Sequence, residues 1–279
     1  MNSIPLALAG SLSWGISDFI GGHASKRRST LAVLALSRPV GLAVVGLVSV
    51  LTASTHFDGR TLLGMLSGPA AFAALYALYR ALAIGPMGVV SPIAAVGAVV
   101  PVLWGTVIGQ SLAGLTYLGL GGTLVGVMLA SEGLDGQRPG RQVLVWSFFC
   151  MVMFGICMIL LAEAGRYHPV EAVVVSRATE VVLILILGAL SWNNLRENLR
   201  PPFGVVPFAG VLDTSAMLLF AYAAGHGSLA VAAVLSSLYP VVTVLIARLV
   251  LHERLSRVQQ TGAVLTLVCV AVVVFSAAR

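Results

Sequence analysis

The chain has 279 residues, 58% of them hydrophobic and only 9% charged, with a mean hydropathy of +1.00. A soluble domain carries roughly 25% charged residues, so the composition excludes a water-soluble globular protein and implies a polytopic membrane protein. The net charge of +6 and pI near 9.7 do not indicate nucleic acid as a partner. The basic residues sit between apolar runs rather than on one clustered face, where they serve as loop charges that orient membrane helices.

Taken in order, the N-terminal apolar stretch lacks a basic n-region, so no cleaved signal peptide is expected. Apolar windows predict helices near 4–24, 31–53, 62–84, 86–108, 112–131, 143–164, 169–191, 204–224, 226–250 and 257–277. Each is long enough to cross a hydrocarbon core of about 30 Å, and neither of the last two has a polar face to show to water. The most polar break, Glu132 to Arg141, falls near the midpoint and reads as a linker. The expected organisation is a first five-helix half at 1–131, a linker at 132–142 and a second five-helix half at 143–279. Cys150, Cys157 and Cys269 all lie within apolar runs and read as small buried hydrophobes, with no metal site expected.

The halves show traces of an internal repeat. Ser37-Arg38 matches Ser176-Arg177 at an offset of 139, Trp14-Gly15 answers Phe154-Gly155 at 140, and Gly119 answers Gly262 at 143. An odd number of helices per half inserts the second half upside down. The expected fold is therefore an all-α membrane protein of ten transmembrane helices in two inverted five-helix repeats, an architecture common among secondary transporters.

The stretch from Tyr222 to Val274 joins an apolar helix with mid-span Pro240, the charged turn His252-Glu253-Arg254-Leu255-Ser256, and Thr261-Gly262 opening the last helix. This pattern resembles the end of an EamA-type repeat of the drug/metabolite transporter superfamily. The run Ser13 to Gly22 is similar to the opening helix of such proteins, and Tyr79 to Pro86 to the close of their third. The resemblance implies an integral membrane carrier with two similar five-helix halves, and it favours export (efflux). The chain departs from the pattern where the first half has Gly109-Gln110-Ser111-Leu112 in place of the charged turn. A turn present in one half only is not expected to carry the chemistry.

Orientation follows from loop charge. After odd-numbered helices lie Lys26, Arg27, Arg28, Arg138, Arg141, Arg196, Arg200, Arg254 and Arg257, nine in all, against Arg60, Arg166 and Arg279 on the other side. The positive-inside rule places the nine in the cytoplasm and both termini outside a plasma (cytoplasmic) membrane.

Ionisable groups at membrane depth cost a few kcal/mol or more and are functional candidates by default. Asp18, Arg38, Arg177, Glu180 and Asp213 qualify. At about 1.5 Å per residue, Asp18 and Arg38 are both roughly 10 Å deep on one side and within reach of pairing. Arg177 precedes Glu180 by three on one helical face. One reading makes these groups neutralised pairs that fix helix packing, with Asp18–Arg38 as a structural ion pair. The other assigns proton coupling to Asp213, Glu180 and Asp18, since a desolvated acid can load and release a proton near neutral pH, and makes Arg177 a clamp for a substrate carboxylate.

Pro92, Pro101 and Pro240 are expected to kink their helices, which is tolerated where protein or a cavity satisfies the freed backbone. Ser91, Ser236 and Tyr239 beside them are candidates to line a pathway. Trp14, Tyr76, Trp104 and Tyr222 are candidates to wall an apolar cavity, with interfacial anchoring the competing reading. The faces Gly64/Gly68, Gly105/Gly109 and Gly122/Gly126 permit close helix approach, within the bundle or between the protomers of a homodimer.

No nucleotide-binding G-x-x-x-x-G-K-[ST] loop is present, so ATP is not expected to drive this chain, and no cofactor is implied. H-E-x-x-H and G-x-S-x-G are also absent, which disfavours an intramembrane enzyme or lipid-handling protein, the alternative reading. The leading expectation is a secondary transporter moving a small metabolite, an amino acid or drug-like compound, by proton-coupled alternating access.

Overall fold

The structure, a computed structural model, describes residues 3–54, 56–85, 87–109, 114–130, 140–251 and 256–258, with positions 261, 262, 264, 265, 268, 269 and 272 beyond them. The described helices are α1 (Ser3–Ser25), α2 (Thr30–Leu51), α3 (Gly64–Ile84), α4 (Met87–Ala95), α5 (Val99–Val107), α6 (Gly114–Ala130), α7 (Arg141–Ala164), α8 (Pro169–Leu190), α9 (Trp192–Asn198), α10 (Val206–Gly225), α11 (Leu229–Ser236) and α12 (Tyr239–Leu251).

Helix starts follow local chemistry. Ser29 caps α2, its Oγ accepting from the Ala32 N–H at 3.3 Å. Asp58 Oδ1 accepts from both the N–H and the hydroxyl of Thr61 at 2.7 Å and opens the 3₁₀ turn Thr61–Leu63 that leads into α3. Pro169 occupies the first turn of α8, where no intrahelical N–H is needed.

Among the described residues, seven helices are long and apolar enough to cross a membrane: Ser3–Ser25, Thr30–Leu51, Thr61–Ile84, Arg141–Ala164, Pro169–Leu190, Val206–Gly225 and Leu229–Val250. Two of the ten expected spans are interrupted helices. The helix expected at 86–108 is broken into α4 and α5 by the 3₁₀ turn Val96–Ala98. The one expected at 226–250 breaks between Ser236 and Tyr239, just before Pro240. In both places proline removes a ladder donor and frees carbonyls one turn back. The span expected at 112–131 is realised as α6, 17 residues long. The linker at 132–139, the turn at 252–255 and most of 257–277 lie outside the described residues. The short helix α9 was not expected.

The bundle holds its polar side chains inside, among apolar core residues, and is apolar outside. Ser17, Ser37, Ser67 and Thr214 are fully buried, while Leu47, Leu185, Leu190 and Leu249 stand well exposed. Hydrocarbon solvates large apolar side chains as well as a core does, so small and polar residues take the helix contacts. Side-chain hydrogen bonds then join distant segments. Ser17 Oγ donates to the Ala209 carbonyl at 2.9 Å, and Thr243 Oγ1 donates to the Gly15 carbonyl at 3.0 Å.

The same close approaches recur in the two halves. A Cβ on Gly15 would meet the Tyr239 carbonyl oxygen at 2.7 Å, and one on Gly155 would meet that of Gly97 at 2.8 Å. A Cβ on Gly68 would overlap the Ser176 carbonyl, and one on Gly210 the Ser37 carbonyl. Thus α1 against α12 mirrors α7 against the turn between α4 and α5, and α3 against α8 mirrors α10 against α2. Trp14 and Phe154 meet face to edge, ring centroids 5.5 Å apart. The Gly64/Gly68 face packs inside the bundle, with Gly64 against the Ala172 carbonyl and Gly68 against Thr179.

Loop contacts sort to the two ends. At one, Arg28 donates to the Asn198, Arg200 and Pro202 carbonyls. At the other, Arg60 pairs with Glu163 at 3.5 Å and the His56 N–H donates to Glu171.

Candidate functional site

Two arginines converge at the centre of the bundle. Arg38 lies on α2, fully buried, its Nε donating to Ser37 Oγ at 3.3 Å. The next residue is Pro39, so the Ala35 carbonyl receives no helical N–H from that position. Arg177 lies on α8 one turn before Glu180, which places both on one face. Asp213 reaches in from α10, where Gly210 lets that helix approach α2.

Asp213 Oδ2 accepts from Arg38 and from Arg177, and Arg177 also donates to Glu180 Oε2. Arg38 Nε stands 3.9 Å from Glu180 Oε1, an ion pair longer than a hydrogen bond. The result is a closed ring of two cations and two carboxylates, each almost inaccessible. Three polar atoms in the ring stay without a hydrogen-bond partner: Arg38 Nη2, Arg177 Nε and Glu180 Oε1. A buried charged group with unmet hydrogen-bonding capacity is costly to leave so, and the ring therefore retains sites for a further polar ligand.

Such a ligand has a place beside it. A cavity of about 30 Å³ touches all four charged side chains and is otherwise walled by apolar groups, chiefly Trp14, Phe154, Phe220 and Met217. That is room for water and far below the 300–1,000 Å³ of an ordinary small-molecule site, so the conformation is closed around its charges. At offsets of 139, 142 (the separation of Gly68 and Gly210) and 140, Glu180, Asp213 and Asp18 correspond to Gly41, Ala71 and Met158. Each half supplies one arginine, whereas the ring's two acids come from the second half.

The expected Asp18–Arg38 pair is not formed. Asp18 is buried on α1, but among the described residues it makes no ion pair, and Arg38 turns to Asp213 and Glu180 instead. Helical depth alone put Asp18 and Arg38 together. The packing of α10 on α2 offers Arg38 a nearer carboxylate from 175 residues away.

The remaining candidates divide. Trp14 lines the cavity, and Tyr239 is buried against Phe154, ring centroids 5.9 Å apart. Ser91 and Ser236 are fully buried with unpartnered hydroxyls, one on each broken helix, but neither lines this cavity. Tyr76 packs edge-on to Trp146 away from the ring, and Tyr222 stacks on His226 at the end of α10. Trp104 is on the outer surface, 39% exposed. Sequence reasoning missed Met217 and Phe220, which line the cavity one and two turns after Asp213; helical spacing from that residue was the available signal.

Comparisons with known proteins bear on this arrangement. Residues 141–275 match the model of the EamA-like transporter family. Two proteins from two strains of Helicobacter pylori, each described as an uncharacterized transporter, are 30% identical over 135 residues and 31% identical over 119 residues. These matches cover 44% and 38% of this chain and 45% and 40% of the relatives, so the chain aligns with less than half their length. One solved crystal structure superposes with a TM-score of 0.78 over 99% of this chain and 98% of that one, at 17% identity, a likeness of fold.

Proposed function

We propose, from the match of residues 141–275 to the EamA-like transporter family, that the chain is a secondary transporter moving a small carboxylate-bearing metabolite by proton-coupled alternating access. The observation that carries this reading is the buried ring of Arg38, Arg177, Glu180 and Asp213, which joins the two halves of the chain beside an apolar cavity.

The chemistry is a competition. With Asp213 ionised, both guanidiniums are neutralised internally and the centre stays closed. Protonation of Asp213 withdraws the shared counter-charge, and a substrate carboxylate takes its place through bidentate contacts with Arg177. Two buried arginines with Glu180 as their one remaining counter-ion are unfavourable, so the place of the shared carboxylate is held either by ionised Asp213 or by the substrate. The substrate therefore enters together with the proton on Asp213, and this joint occupancy couples the two. Asp18, the third intramembrane acid of the candidates, which among the described residues forms no ion pair, is the relay by which protons reach Asp213. The recurrent glycine contacts and the two broken helices support the inverted-repeat reading, in which one half rocks against the other.

Purified protein in liposomes tests this. Saturable, proton-gradient-driven movement of an amino acid or similar carboxylate, with counterflow, is expected from the native chain and not from Asp213→Asn. Linear, non-saturating flux would indicate a channel, and chemical alteration of the compound an enzyme; either result removes the reading.

A further inference from the structure

A second cavity, about 630 Å³ in volume, opens between the end of α1 and the start of α10, on the side that carries most of the loop arginines. Its size lies within the range of small-molecule sites. Arg27, Arg28 and Arg200 line it together with a single carboxylate, Glu197. Arg28 is committed to the fold. It donates to the carbonyls of Asn198, Arg200 and Pro202 at 2.5, 3.0 and 2.7 Å, and the adjacent Ser29 N–H donates to Asn198 Oδ1 at 2.9 Å. These bonds make a rigid floor.

Arg27 and Arg200 are different: among the described residues neither forms an ion pair. In the same wall His23 Nδ1 is buried without a hydrogen-bond partner. The other wall is apolar, with Phe19, Phe203 and Val205, and Val205 is 64% exposed at the rim. Two free guanidiniums and an unmet imidazole nitrogen beside an apolar rim suit an amphiphile with an anionic head. Phosphate oxygens match the arginine fork, and an acyl chain has Phe203 and Val205 to lie against. Basic pockets between helices at the cytoplasmic surface meet a leaflet rich in anionic lipid.

We propose that this cavity binds the headgroup of an anionic phospholipid, held by Arg27 and Arg200 and clasping α1 to α10. The proposal is independent of what the central ring transports.

The test measures thermal stability and lipid affinity of the purified full chain in neutral detergent, titrated with phosphatidylglycerol, phosphatidylcholine or inorganic phosphate. Phosphatidylglycerol is expected to raise the melting temperature by mass action, and phosphatidylcholine and inorganic phosphate are not. The variant R27Q/R200Q is expected to weaken phosphatidylglycerol binding by about fivefold per arginine, with unchanged stability in lipid-free detergent. Arg166→Gln, an exposed arginine at the opposite end, is expected to bind as the native chain does. Equal stabilisation by both lipids, retention of the shift in R27Q/R200Q, or its loss in Arg166→Gln overturns the proposal. Reproduction of the shift by phosphate alone reassigns the site to a free anion and overturns the lipid assignment. Should the double variant unfold, the two single variants carry the same reading.

Discussion

Arg38 and Asp213, 175 positions apart in sequence, form a buried ion pair that links α2 to α10. Asp213 is shared with Arg177, so a single carboxylate neutralises an arginine from each half. Removing one partner of a buried pair costs about 3–5 kcal/mol in soluble proteins, because the other charge is left uncompensated.

Asp213→Asn is therefore expected to lower the melting temperature more than Glu180→Gln, since Arg177 retains Asp213 when Glu180 is neutralised. The double variant R177Q/E180Q is expected to recover part of the loss of Arg177→Gln alone, giving a coupling of about 0.5–3 kcal/mol. Unfolding in detergent across the four proteins measures it. A coupling of zero would show that the ring does not act as a unit.

The two glycine approaches give a packing test. Gly210→Ala is expected to cost about 1–3 kcal/mol, as typical of overpacking, because the new methyl meets the backbone carbonyl of Ser37, which has no rotamer to yield. Gly46→Ala in the same region of α2, where nothing lies within 4 Å, is expected to be neutral or stabilising by up to about 1 kcal/mol from helix propensity. Comparing their melting temperatures with the native value decides it.

Trp14 and Phe154 meet across the middle of the molecule and both wall the central cavity. A double-mutant cycle with alanine at each is expected to show about 0.5–1.5 kcal/mol of ring–ring coupling. Trp14→Ala is also expected to enlarge the cavity and broaden substrate size, read as uptake of bulkier carboxylates into liposomes.

Asp58 lies outside the membrane spans, and its two bonds from Thr61 hold its carboxyl below the usual carboxylate range. A depressed folded value means the contribution is present above the unfolded pKa, about 3.9, and is lost as pH falls through the folded value. Asp58→Ala is therefore expected to be less stable than the native chain at pH 7 and to converge with it in strong acid. Melting curves across that range check the sign.

Some of this was legible in the residues alone. Sustained apolar runs show membrane helices, because hydrocarbon supplies no partner for backbone groups and every span must satisfy its own. Arg38, Arg177, Glu180 and Asp213 stand out for the same reason: charge at that depth is too costly to be incidental. Pro240, together with Pro92 and Pro101, marked the two segments that break.

The partners of those charges were decided only by the tertiary structure. Depth along a helix places Asp18 and Arg38 at one level, but it does not say which way each helix turns or which neighbour it meets. Gly210 against Ser37 and Gly68 against Ser176 bring α10 onto α2 and α3 onto α8, and that packing gives Arg38 to Asp213 rather than to Asp18. It likewise sends Trp104 to the outer surface and Trp14 to the cavity. An apolar span in lipid carries little polar patterning to reveal its inner face, so the rotation of each helix is set by where small residues let two backbones touch.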